Sequence, residues 1–155
     1  MQALRIAAAA SILIVAAGAV VAQECDEEVL FEVYDGTIEI IHSQALYNCC
    51  CAIDFDVIQE GFAIDVAEWE ELEGGGCDCL CCFDMRVAVA GLDPGDYTIT
   101  IWKHSEYGGT EMLGPWIVTV TGTSLPSLTA EYTPCVNTSA GEFRETWGTI
   151  KALYQ

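Results

Sequence analysis

The sequence predicts an all-β domain, and three observations lead to this prediction. From Val29 to Val120, β-branched and aromatic residues occur in short runs, and these runs are separated at close intervals by residues typical of turns. Within the runs, apolar and polar residues alternate with the period of a strand that buries one face. No long stretch with the 3.6-residue period of a helix occurs before residue 140. Antiparallel strands joined by short turns follow from this pattern.

The first four predicted strands lie between residues 29 and 66. Strands over 29–34 and 37–47 are joined by Asp35-Gly36, a pair that suits the positive φ angles of a hairpin turn. The apolar positions of the second strand change parity after Ile40, which indicates a bulge or a change of sheet. The third and fourth strands, 53–57 and 62–66, alternate apolar residues with polar ones, so each has one wet face.

A polar segment separates these strands from the next three. Residues 68–76 hold four glutamates and three glycines and predict an exposed acidic loop. The fifth strand, 77–89, places cysteines and apolar residues on one parity and charged residues on the other, so the first set is expected to face the core. The sixth and seventh strands begin at Tyr97 and Trp116.

The connection Leu92-Asp93-Pro94-Gly95-Asp96-Tyr97 resembles the corner before the penultimate strand of fibronectin-III-like and other immunoglobulin-like sandwiches. The resemblance covers about residues 27–121 and implies an immunoglobulin-like antiparallel β-sandwich of about seven strands. It also implies that the Tyr97 hydroxyl bonds back to upstream backbone. Ordinary fibronectin-III domains generally lack multiple cysteines, which this chain has. Such folds carry many activities, so the resemblance implies no function.

The N-terminal residues 1–22 predict a secretory signal peptide. Arg5 precedes an apolar run from Ile6 to Val21, which is shorter than the roughly 20 residues that span a bilayer. The run is followed by the small residue Ala22, which suits cleavage by a signal peptidase. We predict cleavage after Ala22, a domain over 23–121 without a membrane span, and a location that is secreted, periplasmic or on the cell surface. A retained membrane anchor and a lipid anchor on Cys25 are the alternatives.

The C-terminal part of the chain changes composition. Residues 122–139 are rich in Ser, Thr and Pro and predict an extended linker. Residues 140–155 predict a short amphipathic helix, which Ser139 and Glu142 would cap, and they resemble the tryptophan-glycine tails of some secreted bacterial proteins. The helix would sort, dock or pack through an apolar face of Phe143, Trp147, Ile150 and Tyr154.

Nine cysteines in an exported chain predict a disulfide framework with one cysteine left over. In an immunoglobulin-like topology the second and fifth strands are antiparallel neighbours, so the groups 49–51 and 77–82 meet at one pole. We expect at least one disulfide between these groups, and a further pair between Cys25 and Cys135. The candidates for disulfide bonding are Cys25, Cys49, Cys50, Cys51, Cys77, Cys79, Cys81, Cys82 and Cys135.

A thiolate metal site is the competing interpretation, because clustered sulfur ligands suit zinc and cuprous copper. Strand parity selects the inward-facing cysteines as its ligands: Cys49, Cys51, Cys79 and Cys81. Structural zinc sites usually take their cysteines from tight turns, whereas residues 77–81 are predicted to be extended. Disulfides without a cofactor are therefore the primary prediction.

Charge and composition limit the classes of function that the chain could have. A net charge of -19 with 5 basic residues would repel phosphate backbones, so nucleic-acid binding is not expected. His42-Ser43 and His104-Ser105 cannot act as dyads, because adjacent strand residues point to opposite faces. With no catalytic residues predicted, the chain is expected to be an acidic binding or structural module for an unidentified protein or cell-surface component. The alternative is a metal-binding or redox protein that uses the cysteines.

Overall fold

The computed structural model describes residues 25–72, 74, 76–106 and 108–133, together with the backbone of 151–153. The predicted signal peptide lies outside these residues. Within them, all regular secondary structure is β, and no helix is long and apolar enough to cross a membrane. The strands are β1 (Glu28–Tyr34), β2 (Thr37–Asn48), β3 (Cys51–Glu60), β4 (Ala63–Leu72), β5 (Leu80–Ala90), β6 (Gly95–Ser105), β7 (Gly109–Val120), β8 (Ser127–Thr133) and β9 (Lys151–Leu153).

The strands form two sheets. The first has the order β1-β2-β5-β8 and is antiparallel throughout. The second has the order β7-β6-β4-β3-β9 and contains parallel pairs between β4 and β6 and between β3 and β9. The predicted antiparallel pairing of the second and fifth strands is confirmed, but the β4–β6 pair departs from the purely antiparallel arrangement. These strands run the same way because β5, which lies between them in sequence, returns through the other sheet.

Side chains from both sheets fill one hydrophobic core. The predicted alternation holds in the central parts of β3, β5 and β6, where every second residue is buried over 53–57, 83–89 and 97–103. The largest apolar and aromatic side chains that are fully buried are Tyr47, Tyr97, Phe55, Phe83, Ile38, Ile53, Ile64, Met85, Leu92, Ile99 and Ile101. Burial of this apolar surface supplies most of the driving force for folding.

A β-bulge interrupts β2, as the change in parity predicted. The register between β2 and β5 shifts between His42 and Ala45. Gln44 has a φ of 55° there, and its backbone N–H donates to the Asp84 carboxylate at 2.9 Å. The bulge lets Ile40, His42 and Tyr47 all lie inside although they differ in parity.

Three segments differ from their predictions. β4 continues through residues 68–72, which were expected to be an exposed loop, because Glu68 and Glu70 are buried against polar partners. β8 lies within the predicted linker 122–139: Leu128, Ala130 and Tyr132 alternate with polar residues, but the pattern is too short to stand out.

The third difference is at the C-terminus. The predicted helix over 140–155 is not supported, because residues 151–153 form β9 and pair in parallel with Asp56–Ile58 of β3. Gly148 within the predicted helix costs about 1 kcal/mol relative to alanine, which disfavours that helix. The proposed docking residues Phe143, Trp147, Ile150 and Tyr154 lie outside the described residues.

Candidate functional site

Four cysteine sulfurs lie together at the end of the domain where β2 ends and β5 begins, which we call the cysteine pole. Cys49 and Cys50 come from the turn after β2, and Cys77 and Cys79 come from the segment before β5. They form the disulfides Cys49–Cys79 and Cys50–Cys77, each with a Cα–Cα distance of 5.7 Å. The Sγ atoms all lie within 4.8 Å of one another, and we call them the four-sulfur cluster. Both disulfides join the two cysteine groups, as antiparallel pairing of β2 and β5 predicts.

The other cysteines occupy different environments. Cys25 bonds to Cys82 of β5, so the expected pair between Cys25 and Cys135 is wrong. The reason is that Glu27 binds His42 and Lys103 and thereby holds the segment 25–27 against the domain. Cys81 is also disulfide-bonded, and Cys135, the ninth cysteine of the sequence, lies outside the described residues.

Cys51 carries the free thiol among the described cysteines. Burial and then the charge of Glu70 raise the pKa of this thiol to about 12, so it is protonated and unreactive at neutral pH. The four-sulfur cluster contains Cys49 and Cys79 of the alternative metal set, but Cys50 and Cys77 take the places predicted for Cys51 and Cys81. The parity argument failed because Cys49, Cys50, Cys77 and Cys79 all lie outside strands.

Asn48 connects the two segments that carry the four-sulfur cluster. Its side-chain amide donates to the Cys77 carbonyl at 2.6 Å, and its side-chain carbonyl accepts from the N–H groups of Cys50 (3.0 Å) and Cys77 (3.2 Å). The Cys49 N–H also donates to the Cys79 carbonyl. Backbone and amide groups thus hold the cysteine segments together independently of any bond between sulfurs.

A buried charge cluster lies beneath the cysteine pole and consists of Glu27, His42, Tyr47, Glu68 and Lys103. His42 is 1% exposed, and its two ring nitrogens bind Glu27 at 2.8 Å and Glu68 at 2.9 Å. Burial lowers the pKa of His42, but the bonds to the two carboxylates raise it more, to about 9. Burial raises the pKa of Glu27, but its bonds from His42 and Lys103 lower it more and hold it below its usual value.

Lys103 and Tyr47 complete the buried charge cluster. The Lys103 ammonium binds Glu27 at 2.7 Å and lies 5.1 Å from the centre of the Tyr47 ring. The Tyr47 hydroxyl donates to Glu68 at 2.9 Å, and burial followed by the charge of Glu68 raises the pKa of Tyr47. Two carboxylates face two cations, so the cluster is neutral when His42 is protonated.

Glu70 is a further buried carboxylate, and it connects Asn48 at the cysteine pole to the end of β6. Its carboxylate accepts from the Asn48 N–H at 2.6 Å, the Ser105 hydroxyl at 2.7 Å and the Glu106 N–H at 2.9 Å. Among the described residues, no buried side-chain nitrogen or oxygen lacks a hydrogen-bond partner. Such complete pairing is typical of a structural polar network.

The outer face of the second sheet presents an aromatic wall beside carboxylates. Trp69 is 41% exposed and stacks on His104 of the neighbouring strand, with ring centres 3.7 Å apart and planes 4° from parallel. On its other side, Trp69 is paired in register with Asp54 of β3. A groove of about 520 Å³, which we call the acidic groove, is lined by Asp54, Asp56, Trp69, Glu70, Glu71, Leu72 and Glu106.

The two histidines of the chain, which were not expected to act as dyads with their neighbouring serines, have structural partners. His42 belongs to the buried charge cluster, and His104 supports Trp69 and bonds to the Thr110 hydroxyl at 2.9 Å. Sequence reasoning missed Glu68 and Glu70 because both were assigned to an exposed loop. The signal that would have found them is the parity of Ile64 and Val66, which continues through Glu68 and Glu70.

Comparisons of the chain with protein-family models, with curated proteins and with solved structures gave no match. The candidate site is therefore defined by the residues of this chain alone. Two features offer chemistry to a ligand: the four-sulfur cluster at the cysteine pole and the acidic groove on the second sheet.

Proposed function

We propose that the chain is an exported, acidic binding module with an immunoglobulin-like sandwich fold, that it has no catalytic role, and that it recognises a basic segment of a protein or cell-surface partner. The observation that carries this proposal is the acidic groove. An exposed indole forms one wall, carboxylates surround it, and no Lys, Arg or His is among its lining residues.

The chemistry of the acidic groove suits a lysine or arginine side chain. A cation within about 6 Å of an indole ring gains about 0.5–2 kcal/mol from the ring quadrupole. Asp54 and Asp56 lie on the same outer face as Trp69 and offer charge-assisted hydrogen bonds to the same group. The net charge of -19 adds a long-range attraction that speeds the approach of a basic partner.

Two further features support binding over catalysis. All lining residues of the groove except Glu106 lie on β3 and β4 of one sheet, which hold their side chains in a fixed arrangement before a ligand arrives. Among the strongly perturbed titratable groups, the Cys51 thiol stays protonated at neutral pH, and His42 and Tyr47 lie inside the domain and are already paired. A general base must reach its substrate proton, and these groups do not.

The proposal is tested by calorimetric titration of the mature protein with an oligolysine peptide, with an uncharged peptide of equal length as reference. We expect Trp69→Ala to weaken oligolysine binding by about three- to thirtyfold, which corresponds to the energy of one cation–π contact. The double variant Asp54→Asn/Asp56→Asn removes two charges from the acidic groove and is also expected to weaken binding.

A matched control separates the groove from general acidity. Glu32→Gln/Glu131→Gln removes two exposed carboxylates from the first sheet and changes the net charge by the same amount. We expect this control to bind oligolysine more tightly than Asp54→Asn/Asp56→Asn at equal ionic strength. Equal losses in the two double variants, or no loss in Trp69→Ala, would show that the attraction is not located in the groove.

A further inference from the structure

The four-sulfur cluster has the geometry of a second, independent site. We propose that Cys49, Cys50, Cys77 and Cys79 form a tetrathiolate site for a soft, tetrahedral metal ion of the zinc class when their two disulfides are reduced. The disulfide pair and the metal-loaded site are then alternative states of the same four sulfurs. This proposal does not depend on the acidic groove.

The distances between the sulfurs permit tetrahedral coordination. A zinc ion with Zn–S bonds of about 2.3 Å holds its four sulfurs about 3.8 Å apart. The Sγ atoms of the cluster all lie within 4.8 Å of one another, so small rotations of the cysteine side chains suffice to surround an ion. Cys51, the free thiol, is not part of this group, which leaves four ligands for one ion.

The backbone that carries the ligands is of the kind that thiolate sites use. Cys49 and Cys50 lie in the turn between β2 and β3, and Cys77 and Cys79 lie in the non-strand segment before Leu80. The two pairs are thus supplied by two short loops, as in structural zinc sites. The predicted strand over residues 77–81 was the argument against a metal site. In the structure this strand begins only at Leu80, after Cys77 and Cys79.

Asn48 supplies the supporting shell. It is buried and holds both cysteine segments through the Cys50 and Cys77 N–H groups and the Cys77 carbonyl. These bonds do not involve sulfur, so they can keep the four cysteines close together after reduction. Metal sites depend on such second contacts to position their ligands. Cys50 and Cys79 are exposed, which gives a reductant and an ion access to the cluster.

The chemical steps balance with a dithiol as the reductant. Each cysteine disulfide accepts two electrons and two protons from one dithiol, which becomes a disulfide itself, so two dithiols yield four cysteine thiols. A divalent ion then binds the four sulfurs and releases four protons. Affinity should accordingly rise with pH, because each ligand must lose its proton to bind.

The experiment uses the mature protein, reduced with an excess of dithiol, freed of reductant under argon and titrated with Co²⁺ alone. We expect one Co²⁺ per chain, with the charge-transfer and visible d–d absorption of tetrahedral thiolate cobalt, and displacement of the ion by Zn²⁺. Two double variants are compared with it. Cys49→Ser/Cys79→Ser removes half of the ligands and should abolish this spectrum, whereas Cys25→Ser/Cys82→Ser removes another disulfide and should keep it.

A second measurement on the unmutated chain requires no variant to fold. The reduced protein is alkylated with and without Zn²⁺, and the labelled peptides are mapped. We expect Zn²⁺ to protect Cys49, Cys50, Cys77 and Cys79, and to leave the labelling of Cys25 and Cys82 unchanged. Binding of less than one ion per chain, an equal spectrum in both double variants, or protection outside the four cysteines would each overturn the proposal.

Discussion

The cysteine pole is closed by disulfides and buried charges, whereas the opposite end of the two sheets is closed by close backbone contacts. We call that end the glycine pole; it contains the turn at Gly36, the connection at Gly91 and the segment 123–126. A Cβ atom on Gly36 would lie 2.6 Å from backbone atoms of Thr123 and Ser124, and one on Gly91 would lie 2.5 Å from the Pro126 Cα. Hydrogen bonds from the Ser124 hydroxyl and the Leu92 N–H to the Gly36 carbonyl complete the closure.

The two poles are stabilised by different kinds of interaction. The glycine pole depends on short-range packing, which changes little with pH or redox potential. The cysteine pole depends on groups that gain and lose protons and electrons, so its stability responds to its surroundings. The two poles should therefore differ in how their contributions to stability vary with pH and redox potential.

The largest effect is expected from Glu68→Gln, which removes one charge from the buried charge cluster while keeping the shape of the side chain. Glu68 is 1% exposed and bonds to His42 and Tyr47, so its loss leaves a buried positive charge uncompensated. We expect the free energy of unfolding to fall by about 3–5 kcal/mol in urea titration. Glu39→Gln, in a partly exposed ion pair with Arg86, is the control and should cost less than about 1 kcal/mol. Similar losses in the two variants would contradict the buried charge cluster.

The second prediction concerns pH. The pKa of His42 is raised from 6.5 to about 9 in the folded chain, so folding favours its protonated form. The contribution of protonated His42 to the free energy of unfolding is fully present below pH 6.5 and is lost as the pH rises to about 9. The free energy of unfolding should fall by an amount on the order of 3 kcal/mol over this range. Thermal unfolding of the unmutated protein should show this decline, and His42→Gln should flatten it. An unchanged slope in His42→Gln would assign the decline to other groups.

The third prediction separates backbone conformation from close contact at the glycine pole. Gly36 and Gly61 both have positive φ angles, of 71° and 58°, but only Gly36 has neighbouring atoms where a Cβ would lie. We expect Gly36→Ala to lower the free energy of unfolding by about 2 kcal/mol more than Gly61→Ala, because only the first adds a steric clash. Equal effects in urea titration would show that the two chain segments are not in close contact. The excess in Gly36→Ala should not vary between pH 6.5 and 9.

The sequence predicted the all-β class and the bulge in β2, because each follows from local alternation, whereas the β2–β5 pairing was implied by the resemblance to immunoglobulin-like sandwiches. It did not reveal the β4–β6 parallel pair, since strand order depends on contacts between distant segments. The acidic run after Val66 was misread as a loop because a buried glutamate looks like an exposed one until its partner is known. Its partners, His42 and Tyr47, lie more than twenty residues away in sequence.

The smallest effect is the difference between two identical substitutions at opposite poles. The Tyr97 hydroxyl donates to the Asp93 carbonyl at 3.1 Å, the bond that the corner motif implies, and the Tyr47 hydroxyl donates to the Glu68 carboxylate. We expect Tyr97→Phe to cost about 1 kcal/mol and Tyr47→Phe about 2 kcal/mol, because a bond to a charged acceptor is stronger.

Both rings are buried, so urea titration compares the two hydroxyl bonds on nearly equal packing backgrounds. The contrast sharpens in the Glu68→Gln background, where the acceptor of Tyr47 is neutral. There the loss from Tyr47→Phe should fall to the value for Tyr97→Phe, while the loss from Tyr97→Phe stays the same, since the two sites are independent. A loss from Tyr97→Phe that equals or exceeds the loss from Tyr47→Phe in the unmutated background would mean that charge does not set the strength of the cysteine pole.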